Sequence, residues 1–377
     1  MAYNYVELGS LITPSKTVRC GDGVYPVLSM TMHNGLVFQD EKFKKVIASK
    51  DTSDYKVVYR NQLVISFPID EGVLAAQRIT DAGIVSPAYG IWDINQSKIL
   101  PEFLEYALRC DRAIQYYKAK LRGSTARRRT IPTPTLLAFM VPLPCLEEQK
   151  MVIDRIHRAR LVIENRKEQM NKLDDLIKAR FVEMFGNEKK LMTMNEVCAI
   201  ITDGTHQPPK FSDAGIPFIF VSNITGDKIT YDAEKFIDQD TYDVLIKRTP
   251  IEIGDILLST VGSYGHPAVV KTDKRFLFQR HIAYLKPKKE LVDSDYLHGA
   301  ILSPDAQRQI EEGVKGIAQK TLNLSEIKKM KIPVPSLDRQ KEFAVFVLQV
   351  DKSKAVIQKS LEEAQLLFDS LMQQYFG

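Results

Sequence analysis

The sequence predicts a mixed α/β protein made twice. Two globular α/β units are separated by two long helices that pair antiparallel as a coiled coil, giving a pseudo-two-fold internal repeat. Three observations predict it. First, Val141-Pro142-Leu143-Pro144-Cys145-Leu146-Glu147-Glu148-Gln149-Lys150 recurs as Ile332-Pro333-Val334-Pro335-Ser336-Leu337-Asp338-Arg339-Gln340-Lys341, and from position 141 to position 332 the offset is 191. Second, each copy leads into a long proline-free stretch, and these end on Phe185-Gly186 and Phe376-Gly377, again 191 apart. Third, the remaining segments carry short β-like runs bounded by Gly, Pro, Asn and Asp.

In chain order, residues 1–145 form the first globular unit, with a strand predicted over Val57 to Ser66 and a helix over Leu104 to Leu121. Residues 146–186 form the central helix. Its heptad places Ile156, Ile163, Met170, Ile177 and Met184 at position a, and Val152, Ala159, Arg166, Leu173 and Arg180 at d. Residues 187–336 form the second unit. Strands are expected over Ile216 to Val221, Asp255 to Ser259 and His281 to Leu285, and a helix over Asp295 to Glu312 that Pro304 splits. Residues 337–377 form the C-terminal helix. Adding the repeat offset gives Val347, Lys354, Leu361, Phe368 and Tyr375 at a, with Phe343, Val350, Ile357, Ala364 and Leu371 at d. Apolar residues fill most of both stripes, which is a coiled-coil pattern. Lys354, Arg166 and Arg180 interrupt it, as snorkelling or register-setting polar positions. Gly186 falls where a left-handed C-cap would go, and Pro144 and Pro335 fit an extended lead-in to each helix. A pseudo-two-fold axis across the helices makes them antiparallel, with the globular units at opposite ends.

Composition is that of an ordinary folded chain, 44% hydrophobic and 26% charged, and the net charge of +5 admits a nucleic-acid partner without demanding one. The basic excess is local. Arg109, Arg112, Lys118, Lys120, Arg122, Arg127, Arg128 and Arg129 face one acid, Asp111, over that span. It reads either as a solvated helix face and loop or as a phosphate-contacting patch. The four cysteines are scattered without a Cys-x-x-Cys, as expected of reduced thiols in a cytoplasmic protein. There is no signal peptide and no apolar run long enough to span a membrane. No phosphate-binding Gly-x-x-x-x-Gly-Lys-Ser/Thr loop is present, and the six histidines show no zinc spacing with the cysteines. His157 is expected to be exposed on its helix. No catalytic, metal or cofactor site is therefore expected in this chain.

Candidate binding residues are polar loops. Asp203-Gly204-Thr205-His206-Gln207 is either a turn with Gly204 at positive φ or a loop offering Thr205, His206, Gln207 and the nearby Lys210 to bases or phosphates. Gly262-Ser263-Tyr264-Gly265-His266 is either a hairpin turn or a place where backbone approaches a partner. Arg127, Arg128 and Arg129 could clamp phosphates or read guanine. Their counterpart in the second unit is Gln319-Lys320-Thr321, after Gly316.

These residues resemble one family. The Pro-x-Pro-x-Leu-x-x-Gln-Lys lead-in, the long helix and the globular-helix-globular-helix order look like the specificity (S) subunit of type I restriction-modification enzymes. So do Asp203-Gly204-Thr205-His206, Gly215-Ile216-Pro217-Phe218-Ile219 and Leu258-Ser259-Thr260-Val261-Gly262-Ser263-Tyr264-Gly265. The first unit departs from the pattern. It lacks Asp-Gly-Thr-His and reads Phe67-Pro68-Ile69-Asp70-Glu71-Gly72 where the second has Val261 to Gly265. The resemblance implies two target-recognition domains, each reading one half of an asymmetric, split double-stranded DNA target. It implies that the helices set the gap. If both units face one side of the duplex, half-site centres should lie about one turn apart, roughly 10 base pairs. It also implies docking of two methyltransferase subunits and of restriction/translocase subunits. S-adenosylmethionine, ATP and magnesium would then serve those partners only, and the DNA contacts of this chain would be Arg127, Arg128, Arg129, Thr205, His206, Gln207, Lys210, Ser263, Tyr264 and Lys320. The competing readings are a two-domain coiled-coil scaffold and a DNA-modifying enzyme in its own right.

Overall fold

The computed structural model describes residues 3–32, 34–42, 51–121, 131–316 and 320–377. Its contacts divide the chain into two compact units, Met1–Arg166 with Ser360–Gly377, and Lys167–Lys359. The long helices run Leu146–Phe185 and Leu337–Phe376, each of 40 residues. Each contributes one half to each unit, so the packing draws its boundaries inside the helices rather than at their ends. An amphipathic helix of this length gains its stability from tertiary burial of its stripe, and here each half buries that stripe in a different core.

In the first unit a four-stranded antiparallel sheet runs in the order Ile12–Pro14, Gly90–Ile94, Leu63–Ile65, Leu74–Ala76. Tyr5–Glu7 pairs with Met140–Pro142, so the first Pro of the repeat closes an edge strand, where a missing N–H is tolerated. Helices Pro101–Arg109 and Asp111–Lys120 join the sheet and the long helices in a core that includes Leu63, Trp92, Phe103, Leu104, Tyr117, Val152, Ile156 and Phe376. Two sequence expectations fail here. The strand over Val57 to Ser66 is two, Lys56–Tyr59 and Leu63–Ile65, and they belong to different sheets. Asn61, at φ +69°, breaks it in the left-handed region that Asn tolerates. The helix over Leu104 to Leu121 also parts, at Cys110, whose backbone is extended (φ −70°, ψ 162°). No proline announces that break.

The second unit repeats the plan. Its four-stranded antiparallel sheet is ordered Cys198–Asp203, Ile282–Pro287, Ile256–Ser259, Pro267–Val269, and Leu191–Thr193 pairs with Lys331–Pro333. Helices Ser294–Leu302 and Pro304–Gly313 part at Ser303, with Pro304 in the first turn of the second, as expected. A three-stranded sheet, Phe236–Ile237, Ile216–Ile219, Leu277–Phe278, and a hairpin, Ile224–Thr225 with Lys228–Ile229, are added to this plan. The core is anchored by Phe181, Phe185, Tyr296 and Phe343, with ring centroids 5.0–6.2 Å apart. Phe376 makes the matching contact in the first unit, 5.0 Å from Phe103.

Within each unit the helix halves are antiparallel. In the first, Arg155 donates to the Tyr375 hydroxyl at 2.5 Å and Arg166 Nε to Ser360 Oγ at 3.0 Å. In the second, Lys354 pairs with Asp174, and Arg339 donates to the Met184 carbonyl. Position rises along one helix as it falls along the other. The a and d residues are buried or half-buried throughout, and the polar interruptions Arg166 and Lys354 both find partners across the seam. Arg180 reaches Glu183 at 2.7 Å on its own helix and Glu342 at 3.9 Å on the other. Phe181, Phe185 and Phe376 lie outside the heptad stripe because the helix ends dip into globular cores. Gly186 is not a left-handed cap. Its N–H still bonds the Val182 carbonyl at 2.8 Å, and it is absent from the positive-φ glycines.

The repeated glutamine of the lead-in proves structural. Gln149 is fully buried; its Oε1 accepts from Leu100 N–H at 2.8 Å, and its Nε2 donates to the carbonyls of Lys98 and Pro144 at 3.0 and 2.9 Å. Gln340, equally buried, accepts from Asp293 N–H at 2.8 Å and donates to Leu291 and Pro335 carbonyls at 3.0 and 2.9 Å. Each side chain ties the start of a long helix to the segment that begins the short helix pair, and satisfies backbone groups that have no helical partner.

Part of the basic run is structural as well. Arg112 donates to the Phe376 carbonyl at 3.0 Å and to Met140, and lies over the Tyr5 and Phe139 rings. A cation at a helix C-terminus is favoured by the helix dipole. His157 is half-exposed and bonded to Glu102 at 2.5 Å.

All four cysteines are free thiols; Cys20, Cys110 and Cys198 are buried and Cys145 is exposed. Burial pushes the Cys198 thiol up to about 12 and raises Cys110. The thiolate is the reactive form, so a native thiol titration should label Cys145 first and rapidly, with full labelling only in denaturant. Rapid native labelling of Cys198 would contradict the packing.

Glu102 is largely shielded from solvent. Desolvation works to raise its carboxyl pKa, but the His157 hydrogen bond and the Arg78 guanidinium at 2.5 Å outweigh it and hold it below the usual value. A depressed carboxyl pKa contributes stability that is present above the unfolded value and is lost as pH falls through the folded one. The first unit should therefore weaken on acidification through the carboxylate range, and Glu102→Gln should flatten that limb. Hydrogen exchange of first-unit peptides against pH reads the difference.

Candidate nucleic-acid interface

The candidate residues of the second unit gather at one end of its four-stranded sheet. Antiparallel pairing brings the end of Cys198–Asp203, the start of Ile282–Pro287, the end of Ile256–Ser259 and the start of Pro267–Val269 to the same edge, as the pairs Asp203–Ala283, Ser259–Ile282 and Leu258–Pro267 record. Loops leaving that edge need no further order to be neighbours.

The first loop is Gly204–Lys210. Thr205 bridges to Gln279 through Thr205 N–H to the Phe278 carbonyl (3.0 Å) and Arg280 N–H to the Thr205 carbonyl (3.1 Å). Gly204 is required for closeness rather than for positive φ: a Cβ there would lie 2.3 Å from the Phe278 carbonyl oxygen. With Thr205 pinned, His206, Gln207 and Lys210 stand exposed. They form one wall of a cleft of about 690 Å3 whose other wall is Asp240, Thr241, Val244, Leu245, Arg248 and Thr249.

Asp203, at the strand end, organises this cleft. Its Oδ2 meets His206 Nε2 at 2.8 Å and its Oδ1 meets Arg248 Nη2 at 2.5 Å. The carboxylate is 17% exposed while the imidazole and guanidinium are 54% and 50% exposed. One shielded anion thus fixes two outward-facing groups.

The second loop is Thr260–His266, which closes the hairpin of Ile256–Ser259 and Pro267–Val269; Ser259 N–H bonds the His266 carbonyl at 3.0 Å. Gly262 (φ +74°) opens onto empty space, and Gly265 (φ +82°) packs against Ile310, where a Cβ would lie 3.2 Å from Cγ2. Ser263 is exposed. The Tyr264 hydroxyl donates to Glu311 at 2.5 Å, and Lys320 reaches Glu311 at 2.8 Å and the Tyr264 hydroxyl at 3.3 Å. Glu311 and Tyr264 hold the Lys320 ammonium above the ordinary lysine value, and Lys320 and Tyr264 hold Glu311 below the ordinary carboxylate value. The two loops meet at a cavity of about 320 Å3 lined by Asp203, Thr260, Arg280, His281 and Thr321 among others, with Val261 bridged to Thr321.

The structure thus brings Thr205, His206, Gln207, Lys210, Ser263, Tyr264 and Lys320 to one edge. Arg127, Arg128 and Arg129 lie outside the described residues. Sequence reasoning missed Arg248, Arg280 and His281. The signals were Lys247-Arg248 and the polar Gln279-Arg280-His281 interrupting apolar residues, and neither says which loop it will face. In the first unit, Gly72 (φ +71°) packs against Ile114, where a Cβ would lie 3.3 Å from Cδ1, matching Gly265 against Ile310. The loop after Leu63–Ile65 is therefore the structural counterpart of Thr260–His266 although its residues differ.

Among the described residues, no group of three or more His, Cys, Asp or Glu is placed to hold a metal ion, and no helix is long and apolar enough to cross a membrane.

Residues 187–366 match the family described as the type I restriction modification DNA specificity domain. The type I restriction enzyme EcoBI specificity subunit of Escherichia coli is 23% identical over 283 residues, 66% of this chain and 59% of that one. The MjaVIII specificity subunit of Methanocaldococcus jannaschii is 21% identical over 288 residues, 66% of each chain. The alignment thus spans about three-fifths of the length of the E. coli relative. Among solved structures, a chain from a study of complex assembly and conformational transition of the type I R-M system superposes with TM-score 0.57 at 17% identity, covering 99% of this chain and 97% of that one. The type I restriction-modification S subunit from M. genitalium superposes with TM-score 0.51 at 14% identity, covering 100% and 96%. At these identities the likeness is one of fold.

Proposed function

From the match of residues 187–366 to the type I restriction modification DNA specificity domain, we propose that the chain is the DNA-reading subunit of a type I restriction-modification complex. Each unit reads one half of an asymmetric, split duplex target. The observation that carries this is a duplicated frame with unlike loops. The sheet order, the short helix pair and the buried glutamine recur in both units, while the loops at the exposed sheet edge differ. Equivalent frames with different polar loops are what two different half-sites need, since frame residues position and base-edge contacts specify.

In this reading Thr205, His206, Gln207, Lys210, Ser263, Tyr264 and Lys320 contact the half-site of the second unit, and Arg127, Arg128 and Arg129 that of the first. The long helices set the gap and dock two methyltransferase subunits, and restriction/translocase subunits complete the complex in the cytoplasm. Methyl transfer and cleavage, with S-adenosylmethionine, ATP and magnesium, belong to those partners, and this chain is non-catalytic.

The test is methylome sequencing of a host that expresses the chain with its neighbouring methyltransferase, against the same host without the chain. Two short defined halves around a fixed gap, methylated only when the chain is present, is the expected result. An unchanged methylome with the complex assembled would overturn the reading in favour of a coiled-coil scaffold. Metal-dependent modification of DNA by the isolated chain would favour an enzyme.

A further inference from the structure

We propose that Asp203 is a positioning residue that presents Arg248 and His206 as one donor–acceptor pair to a G·C base pair in the half-site of the second unit. The inference rests on the DNA-reading function above and names the chemistry of one of its contacts.

The geometry begins with the strand end. Asp203 is the last residue of Cys198–Asp203 and pairs across the sheet with Ala283, so its backbone is held by the ladder. Its carboxylate is shielded, and both oxygens are occupied, one by each partner. Arg248 gives Nη2 to Asp203, with Thr202 Oγ1 at 3.5 Å. Among the described residues, its Nε and Nη1 have no hydrogen-bond partner, and Nη2 carries a second hydrogen with only Thr202 at 3.5 Å to receive it, so one two-donor edge of the guanidinium, completed by that hydrogen, remains available. Arg248 closes the short helical turn Ile246–Arg248 on the far wall of the cleft. The carboxylate, at 2.5 Å, is the close partner that holds that long side chain against the loop, with Thr202 at 3.5 Å behind it.

His206 is held through Nε2. In the neutral ring, a proton donated from Nε2 to the carboxylate leaves Nδ1 as a lone-pair acceptor. The cleft therefore offers donors from Arg248 beside an acceptor from His206, fixed by one anion. In the major groove guanine presents two acceptors, O6 and N7, and its cytosine presents an N4 amino donor. A guanidinium fork matches the guanine edge and the Nδ1 lone pair matches the cytosine amine. An A·T pair carries an adenine amine beside N7 and a thymine O4 and methyl, which leaves the fork one acceptor short on the purine. A lone phosphate contact would need Arg248 but would leave the His206 acceptor facing an anion.

The test uses the full chain assembled with its methyltransferase subunits and a duplex library randomised across both half-sites, with Arg248→Lys, Arg248→Ala and Asp203→Asn. Arg248→Lys keeps the charge but removes the two-donor edge, and its fold is checked by thermal unfolding. The expected result is a G·C requirement at one position in one half-site of the wild-type motif. That preference should fall roughly tenfold to a hundredfold in Arg248→Ala, and partly in Arg248→Lys and Asp203→Asn, with the other half-site read as before. Equal loss on every sequence with a shallower salt dependence would make Arg248 a phosphate contact and overturn the proposal. Unchanged selectivity in Arg248→Lys and Asp203→Asn would overturn it also. If the wild-type complex selects no split motif at all, the DNA-reading function fails, which is distinct from a selected motif that ignores Arg248.

Discussion

Gln340→Leu should destabilise the second unit by about 2–5 kcal/mol, and Gln149→Leu should do the same to the first. The argument is one of hydrogen-bond accounting. Each glutamine is fully buried and satisfies one backbone N–H and two carbonyls. Leucine is of similar size but supplies no polar atom, so the Asp293 N–H and the Leu291 and Pro335 carbonyls would be left dry and unpaired. Each such group costs roughly 1–3 kcal/mol, with incomplete additivity where backbone can shift. Urea unfolding read by hydrogen exchange, unit by unit, measures it. The effect of each substitution should be concentrated in its own unit, because the partners lie there. If Gln340→Leu left stability untouched and abolished only subunit assembly, the residue would be a docking contact and the structural reading of the repeat would be wrong.

On the proposed DNA-reading function, with the helices as spacer, lengthening both of them by one heptad, between Arg166 and Lys167 and between Lys359 and Ser360, should shift the preferred gap of the proposed split target by about three base pairs. Seven residues add about 10.5 Å of helix, and a duplex rises about 3.4 Å per base pair. A heptad keeps the a and d stripes in phase, so the seam is preserved. Three base pairs also turn the duplex by about a third of a turn, so affinity should fall even at the new optimum. Both half-sites should stay as they were, because their loops are untouched. Methylome sequencing of the variant decides it. A changed half-site with an unchanged gap would remove the helices from the role of spacer.

Much of the frame was legible because it depends on periodicity along one chain. The heptads survive residue by residue, even to Lys354, which pairs with Asp174 across the seam, and Arg166, which donates to the Ser360 hydroxyl across it. Pro304 marks a real helix break, whereas the equivalent break at Cys110 went unseen because extended backbone there carries no proline. Val57 to Ser66 read as one strand because apolar content does not register a single left-handed Asn. Positive φ was expected at Gly186 and, on the turn reading, at Gly204. Neither adopts positive φ; Gly204 is needed because a carbonyl lies where its Cβ would be.

The sequence by itself determined the repeat, the two long helices and the polar loops that mark the sheet edge, since these are properties of residues in order. Only the tertiary structure decided that Gln149 and Gln340 are buried ties, that Arg112 serves a helix end, and that Asp203 joins His206 to Arg248. The physical reason is that hydrogen bonds and ion pairs form between groups the fold brings together, and nothing in the local sequence around Arg248 specifies a carboxylate 45 residues away.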